Sequence, residues 1–221
     1  VTGAASGIGA AITDQFLRAG AVVWAGDRDG AALARLRATV PARDRMRECV
    51  VELADPAACS ALATHVQAAH VGGLDVLVNN AGIGAVGTVL QTPPEELERL
   101  RAVHVTAVYR LCRRFLPAMV ARRGGSIVNL ASIGGVVGLR ERAAYCTTKF
   151  AVVGLTKAMA LDHAADRVRV NCICPARVET PFVAARLREY PDPHRALREL
   201  SRRQRHGRMG RREETAAAAL Y

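Results

Sequence analysis

The sequence predicts an α/β fold, a doubly wound parallel sheet with helices on both faces, and three observations predict it. Short runs rich in Val, Ile and Leu alternate with longer stretches patterned as helices. A glycine-rich stretch, Thr2-Gly3-Ala4-Ala5-Ser6-Gly7-Ile8-Gly9, lies between a first apolar stub and the first helical pattern. Small and polar residues recur directly after the apolar runs, where an open parallel sheet binds ligands beyond the carboxyl ends of its strands. Strand–helix alternation requires right-handed crossovers, which put helices on both sides of the sheet.

Strands are expected at 21–26, 49–53, 74–79, 126–130 and 167–173, after the stub at Val1. Several are nearly continuous in Val, Ile and Leu, as strands covered on both faces are. Helices are expected at 8–19, 30–39, 56–70, 94–122 and 142–164, followed by a helical lid at about 181–208. With the stub as first strand, Asp27 follows the second, Asn79-Asn80-Ala81-Gly82 the fourth, Ser132 the fifth and Pro175 the sixth. At 221 residues and 50% hydrophobic, the chain can bury a core as one domain over 1–221. It begins inside a strand and ends inside an Ala-rich helical pattern, so it reads as trimmed at both ends.

No apolar run is long enough to span a bilayer and no charged-then-apolar leader is present, so no membrane partner and a cytoplasmic location are expected. The net charge is +11, and with Lys149 and Lys157 the two lysines, 29 of the 31 basic residues are arginine. That is a compositional bias. Nucleic-acid surfaces interleave clustered charge with aromatics, and aromatics are 4% here, so no nucleic-acid partner is expected. The run Arg202-Arg203-Gln204-Arg205-His206-Gly207-Arg208, continuing to Arg211-Arg212, reads as a solvated face with room for one anion site. Cys49, Cys59, Cys112, Cys146, Cys172 and Cys174 form no C-x-x-C pair, and His65, His70, His163, His194 and His206 show no ligand spacing, so no metal is expected.

Glycines at 3, 7 and 9 sit where a strand turns into a helix. They allow a tight turn and let main-chain N–H groups approach a pyrophosphate at the positive helix end. Their G-x-x-x-G-x-G spacing alone also suits an ordinary strand–helix turn. Asp27, ending the next strand, adds a carboxylate that can accept both ribose hydroxyls of an adenosine and would repel a 2′-phosphate. This points to NAD over NADP, although Arg28 beside it can partly accommodate that phosphate. Further along, Tyr145 and Lys149 stand four apart and share a helix face. A phenol titrates near ~10, and each unit of downward shift needs about 1.4 kcal/mol. A nearby ammonium and an oxidised nicotinamide in a water-poor cleft can supply this, while Ser132 holds a substrate oxygen.

On Thr2-Gly3, Asn79-Asn80-Ala81-Gly82, Ser132 and Tyr145-Cys146-Thr147-Thr148-Lys149, the chain resembles the short-chain dehydrogenase/reductases over essentially its whole length. The resemblance implies a Rossmann-type domain, an oxidoreductase acting on CH–OH donors and commonly a homotetramer. It implies Tyr145 as acid/base, Ser132 as the group positioning the substrate oxygen, and Lys149 as a further ligand of the nicotinamide ribose. The implied cofactor set is Gly3, Ser6, Gly7, Ile8, Gly9, Asp27, Glu52, Leu53, Asn79, Asn80, Ala81, Gly82, Tyr145, Lys149, Pro175, Val178 and Thr180. In it, Asn80 packs the cofactor-side turn, Glu52-Leu53 edges the adenine, and Val178 and Thr180 lie by the carboxamide. The chain departs from the family in three places: His104 replaces a proton-relay asparagine, Glu52 an aspartate, and Pro175-Ala176 a Pro-Gly. An imidazole at 104 can hold a relay water or titrate near pH ~6.5, so His104 is carried as a catalytic candidate that alters activity or its pH profile.

The stretch from Cys174-Pro175 through Glu179-Thr180-Pro181, Pro191-Asp192-Pro193 and Gly207-Arg208 resembles a hydroxy-acid subgroup of that family. The subgroup includes cytosolic-type 3-hydroxybutyrate dehydrogenases and bacterial 2-keto-3-deoxy-L-fuconate dehydrogenases. The resemblance implies that Arg142, Arg186 and Arg203 gather around a substrate carboxylate, a group the arginine fork fits bidentately. The small-molecule substrate is thus expected to be a hydroxy acid or sugar acid. Alternatives are an NADPH-dependent 3-oxoacyl-thioester or general carbonyl reductase, and a member that binds cofactor but is catalytically weak because of His104.

Overall fold

The computed structural model describes residues 1–70, 72–188, 191–202 and 204–221, and the backbone alone at 186. β1 (Val23–Asp27) pairs in parallel with β2 (Met46–Val50). β3 (Val76–Asn79), β4 (Gly125–Leu130) and β5 (Val168–Ile173) pair in parallel in that order. The N-terminal stub joins the two halves. Gly26 N donates to the Val1 carbonyl at 2.8 Å, Ala4 N to the Gly26 carbonyl at 3.1 Å, and Thr2 N to the Val78 carbonyl at 3.0 Å. The hydrogen-bonded order is therefore β2, β1, stub, β3, β4, β5. Strand order reverses at the stub, and the crevice beyond its carboxyl end is where such sheets hold ligands.

Around the sheet lie α1 (Gly7–Arg18), α2 (Gly30–Thr39), α3 (Pro56–Ala69), α4 (Pro94–Arg101), α5 (Ala107–Ala121), α6 (Ala143–Asp162), α7 (Pro181–Leu187), α8 (Pro193–Arg202) and α9 (Arg212–Leu220). Successive strand residues serve opposite faces. Leu77 and Ile127 are buried with Ala63 of α3, Phe115 of α5 and Met159 of α6. Their neighbours Val78 and Val128 are buried with Ile12 of α1 and Ala216 of α9. A third cluster joins Leu17 of α1, Leu33 of α2, and Val23 and Met46. Both faces are covered, which is why the strands are apolar throughout. Side-chain caps set helix starts: Asp29 Oδ1 accepts from Ala32 N and Asp55 Oδ1 from Ala57 N, each at 2.8 Å, with Pro56 opening α3. Among the described residues, no helix is long and apolar enough to cross a membrane.

Two elements differ from expectation. The strand expected at 49–53 lies at Met46–Val50, because the register runs from Val23 opposite Met46 to Asp27 opposite Val50. Val51 and Leu53 are apolar for another reason: past the strand end they are buried against α3 and its neighbours. The helix expected at 94–122 is interrupted by a π-turn at Ala102–Thr106 between α4 and α5. His104 is at the centre of that turn, and such turns often mark functional positions.

Candidate active site

At the nucleotide end, two turns are tied together by Thr2 and Asn80. Thr2 Oγ1 accepts from Asn80 N at 3.0 Å and from Ala81 N at 3.1 Å. Asn80 Nδ2 donates to the Thr2 and Gly3 carbonyls at 2.9 and 3.0 Å. Gly3 has φ +61°, and a Cβ there would lie 2.7 Å from Ala81 Cα; at Gly9 a Cβ would lie 2.0 Å from the Gly3 oxygen. No side chain fits either place. What results is a bare main-chain cradle at the start of α1, with Ser6 exposed at its N-cap and followed by Gly7 and Ile8. The first-turn N–H groups lack partners inside the helix and suit a pyrophosphate.

Asp27 closes this end from β1. Its Oδ2 accepts from Ala5 N at 2.9 Å and its Oδ1 from Asp29 N at 3.1 Å, which leaves each oxygen a further acceptor site. Arg28 Nη1 lies 3.9 Å from Glu52 Oε2, and Glu52 Oε1 accepts from Ala54 N at 3.1 Å. The cradle and the carboxylate together fit a dinucleotide. Two expected members turn their side chains away from the cleft. Leu53 is buried in the core. The Asn79 amide is buried as well, donating to Asn129 Oδ1 at 2.9 Å, because neighbouring strand residues point to opposite faces and Asn80 takes the cleft side.

The lid is anchored at both edges of the crevice. Thr180 Oγ1 accepts from Val183 N at 3.3 Å at the start of α7. A Cβ on Gly7 would come 3.3 Å from Thr180 Cγ2, and one on Gly84 2.4 Å from Phe182 Cζ. Thr180 thus rests on the glycine turn, and the Phe182 ring on Gly84 in the loop after β3. Val178 is buried and bridged to Gly210, while the Pro175 carbonyl accepts from Ile133 N at 2.9 Å beside Ser132.

At the reacting end, Ser132 follows β4 and its Oγ accepts from Gly134 N at 3.1 Å. Tyr145 lies near the start of α6, and Lys149 one turn on is 4% exposed, its Nζ donating to the Leu130 carbonyl at 2.8 Å. Burial lowers the Lys149 ammonium to about 8. Burial also pushes the Tyr145 phenol above its ordinary value, opposed by a hydrogen bond from Ser132 and by the Arg142 and Arg177 guanidinium charges. The acidity expected from Lys149 is therefore not supplied by the protein alone. That lysine is 5.9 Å from the ring centroid with Nζ committed to a carbonyl, and desolvation outweighs the groups that favour the phenolate. Together Ser132 and Tyr145 can grip one oxygen and move a proton to or from it.

His104 is 1% exposed and meets the Tyr145 ring edge-on, with centroids 5.7 Å apart. Its Nε2 accepts from Ile83 N at 3.0 Å and its Nδ1 lies 2.9 Å from Thr148 Oγ1. Burial, with Lys149 and Arg99 nearby, lowers it to about 3, so it does not titrate near pH 6.5 as its side chain alone suggests. Of the three arginines expected around a carboxylate, Arg142 is placed: Nη1 donates to the Ala85 carbonyl at 2.9 Å and its charge acts on Tyr145. Arg203 and the side chain of Arg186 lie outside the described residues. Arg177 was not anticipated. Its place just after Pro175-Ala176, at the cleft end of β5, is the signal that points to it.

Comparison with known proteins agrees with this arrangement. Residues 1–191 match the family model described as short chain dehydrogenase. The chain is 36% identical over 222 residues to dehydrogenase/reductase SDR family member 6 of Danio rerio, covering 100% of this chain and 87% of that protein. It is 37% identical over 223 residues to 2-keto-3-deoxy-L-fuconate dehydrogenase of Xanthomonas campestris pv. campestris, covering 100% and 72%. It is similar in structure to 3-ketoacyl-(acyl-carrier-protein) reductase from Brucella melitensis complexed with NADH, with TM-score 0.88, 29% identity, and 99% and 87% of the two chains covered. A glycine cradle at the strand-order reversal, a serine after β4 and a Tyr–Lys pair on α6 thus coincide with matches along the whole length: the chain belongs to the short-chain dehydrogenase family, nicotinamide-dependent oxidoreductases acting on hydroxyl or ketone groups.

Proposed function

We propose that this chain exchanges a hydride between NAD and the secondary hydroxyl or ketone of a hydroxy acid or sugar acid. The carrying observation is that Ser132, just after β4, and the half-buried Tyr145 of α6 meet at the reacting end, with the Arg142 and Arg177 guanidinium charges acting on the same phenol. Tyr145 gives a proton to the substrate oxygen or takes it, and Ser132 holds that oxygen in place. When bound, the nicotinamide supplies or accepts the hydride and, oxidised, brings a positive charge. In a site that excludes water such a charge has large leverage on the phenol. Lys149 has ammonium hydrogens left for ribose hydroxyls once one is held by Leu130. The preference for NAD rests on the Asp27 carboxylate, which a 2′-phosphate would meet at close range, and on Arg28 leaning toward Glu52.

The acidic substrate is supported by Arg142 and Arg177, whose charges a carboxylate beside Tyr145 would pair with. The similarity to a 2-keto-3-deoxy-L-fuconate dehydrogenase favours a sugar acid. The reading includes a cytoplasmic homotetramer, for which exposed Tyr109 on α5 and Phe150 and Leu161 on α6 offer association surface. The test is a panel of hydroxy acids, sugar acids and their uncharged analogues, followed by cofactor absorbance with NAD and NADP. The reading expects turnover with NAD on carboxylate-bearing alcohols, and KM raised about tenfold or more for them in Arg177→Ala, as loss of a charge-assisted bond implies. Equal kcat/KM with both cofactors, or equal turnover of the uncharged analogues, would overturn it.

A further inference from the structure

We infer that His104 is a positioning residue, a neutral clamp that holds the loop after β3 against the catalytic turn of α6, and that the proton path of Tyr145 does not pass through the His104 imidazole. This rests on the proposed hydride exchange and concerns how its acid/base is held. The bonding assigns the tautomer. Ile83 N–H can only donate, so Nε2 carries the lone pair and the ring proton is on Nδ1. Nδ1–H then donates to Thr148 Oγ1 at 2.9 Å, and the Thr148 hydroxyl donates to the Tyr145 carbonyl at 3.0 Å. All donors point one way, from the loop amide through the imidazole and the threonine to the backbone of Tyr145.

That direction excludes a relay through the ring. A relay group must take a proton on one side and release it on the other. Here the accepting nitrogen is held by a main-chain amide, which does not give up its proton, and the donating one ends on a peptide carbonyl. Both ring nitrogens are used. The ring is also hemmed in by charge, with Lys149 on α6 and Arg99 on α4 both acting against imidazolium, and the Tyr145 ring packs against it in a T-shaped pair. The π-turn gives the clamp its reach, since it bulges position 104 out of the regular helix between α4 and α5. A misplacement of about 1 Å in a reacting group costs about a hundredfold in rate, so a clamp two hydrogen bonds from the Tyr145 backbone has a kinetic effect without touching substrate.

Two measurements test this. Long-range 1H–15N spectra of the protein, with and without NAD, should show the Nδ1–H tautomer of His104 and no titration between pH 5 and 9. The pH profiles of kcat for wild type and His104→Gln, which keeps an acceptor and a donor but cannot titrate, should superimpose in shape. His104→Phe should lose about tenfold to a hundredfold in kcat with cofactor Kd unchanged, the loss expected of displaced positioning, and His104→Gln should recover most of it. An Nε2–H tautomer, titration of His104 within that range, or a limb of the pH profile that vanishes in His104→Gln would overturn the clamp. The spectra require no turnover, so the clamp can fail while the hydride-exchange reading stands.

Discussion

The nucleotide end of the crevice is made of main chain and of side chains left out, whereas the reacting end is made of ionisable side chains taken out of water. Gly3 and Gly9 leave no room for a methyl group, and Thr2 and Asn80 stitch the two turns through four hydrogen bonds to main chain. Charge enters that end at Asp27, with the Arg28–Glu52 pair beside it. At the other end Lys149, His104 and Tyr145 are all pushed by burial toward their neutral forms. The difference teaches where each kind of change will be felt. Shape errors damage nucleotide binding, and charge errors damage chemistry and its pH dependence.

The sharpest way to break the comparison is Gly9→Ala. Its Cβ would meet the Gly3 oxygen at 2.0 Å and Asn80 Nδ2 at 2.4 Å. Overpacking of this kind costs about 3 kcal/mol, about a hundredfold in NAD affinity by calorimetry, and thermal melting separates lost binding from lost fold. Asp27→Ala should weaken NAD about tenfold and narrow or reverse its advantage over NADP in kcat/KM, since one charge-assisted acceptor is lost. Lys149→Met addresses the reacting end through stability. With its value lowered from 10.5 to about 8, folded Lys149 binds fewer protons than the unfolded chain between those values. Wild type should therefore gain stability on the variant as pH rises through that window, read as the difference between denaturant titrations. The smallest effect belongs to the lid. Phe182→Ala removes the ring resting on Gly84 and should raise substrate KM a few-fold, about 1 kcal/mol, with kcat little changed.

Much of this was readable before any coordinates. The alternation of apolar runs and helical patterns fits a parallel sheet buried on both faces, and the helices expected at 30–39 and 56–70 lie at Gly30–Thr39 and Pro56–Ala69. What was not readable came from tertiary contact. Nothing within 94–122 announces a π-turn at His104, because the partners of that side chain, Ile83 and Thr148, lie in other elements. The strand at Met46–Val50 takes its position from β1, not from its own most apolar residues. Asn79 was separable from Asn80 by strand alternation alone, and the structure draws that distinction. Arg177 was hidden by composition, since one arginine among 29 carries little signal until its charge is seen to act on Tyr145.

The central claim is that the half-buried phenol of Tyr145 moves the proton in hydride exchange, and it is tested most directly by single-turnover cofactor reduction in Tyr145→Phe, with cofactor Kd measured on the same sample. The account predicts a loss of about a hundredfold to ten-thousandfold in the chemical step with Kd unchanged, the range of general acid–base catalysis. A variant that turns over as fast as wild type would contradict it.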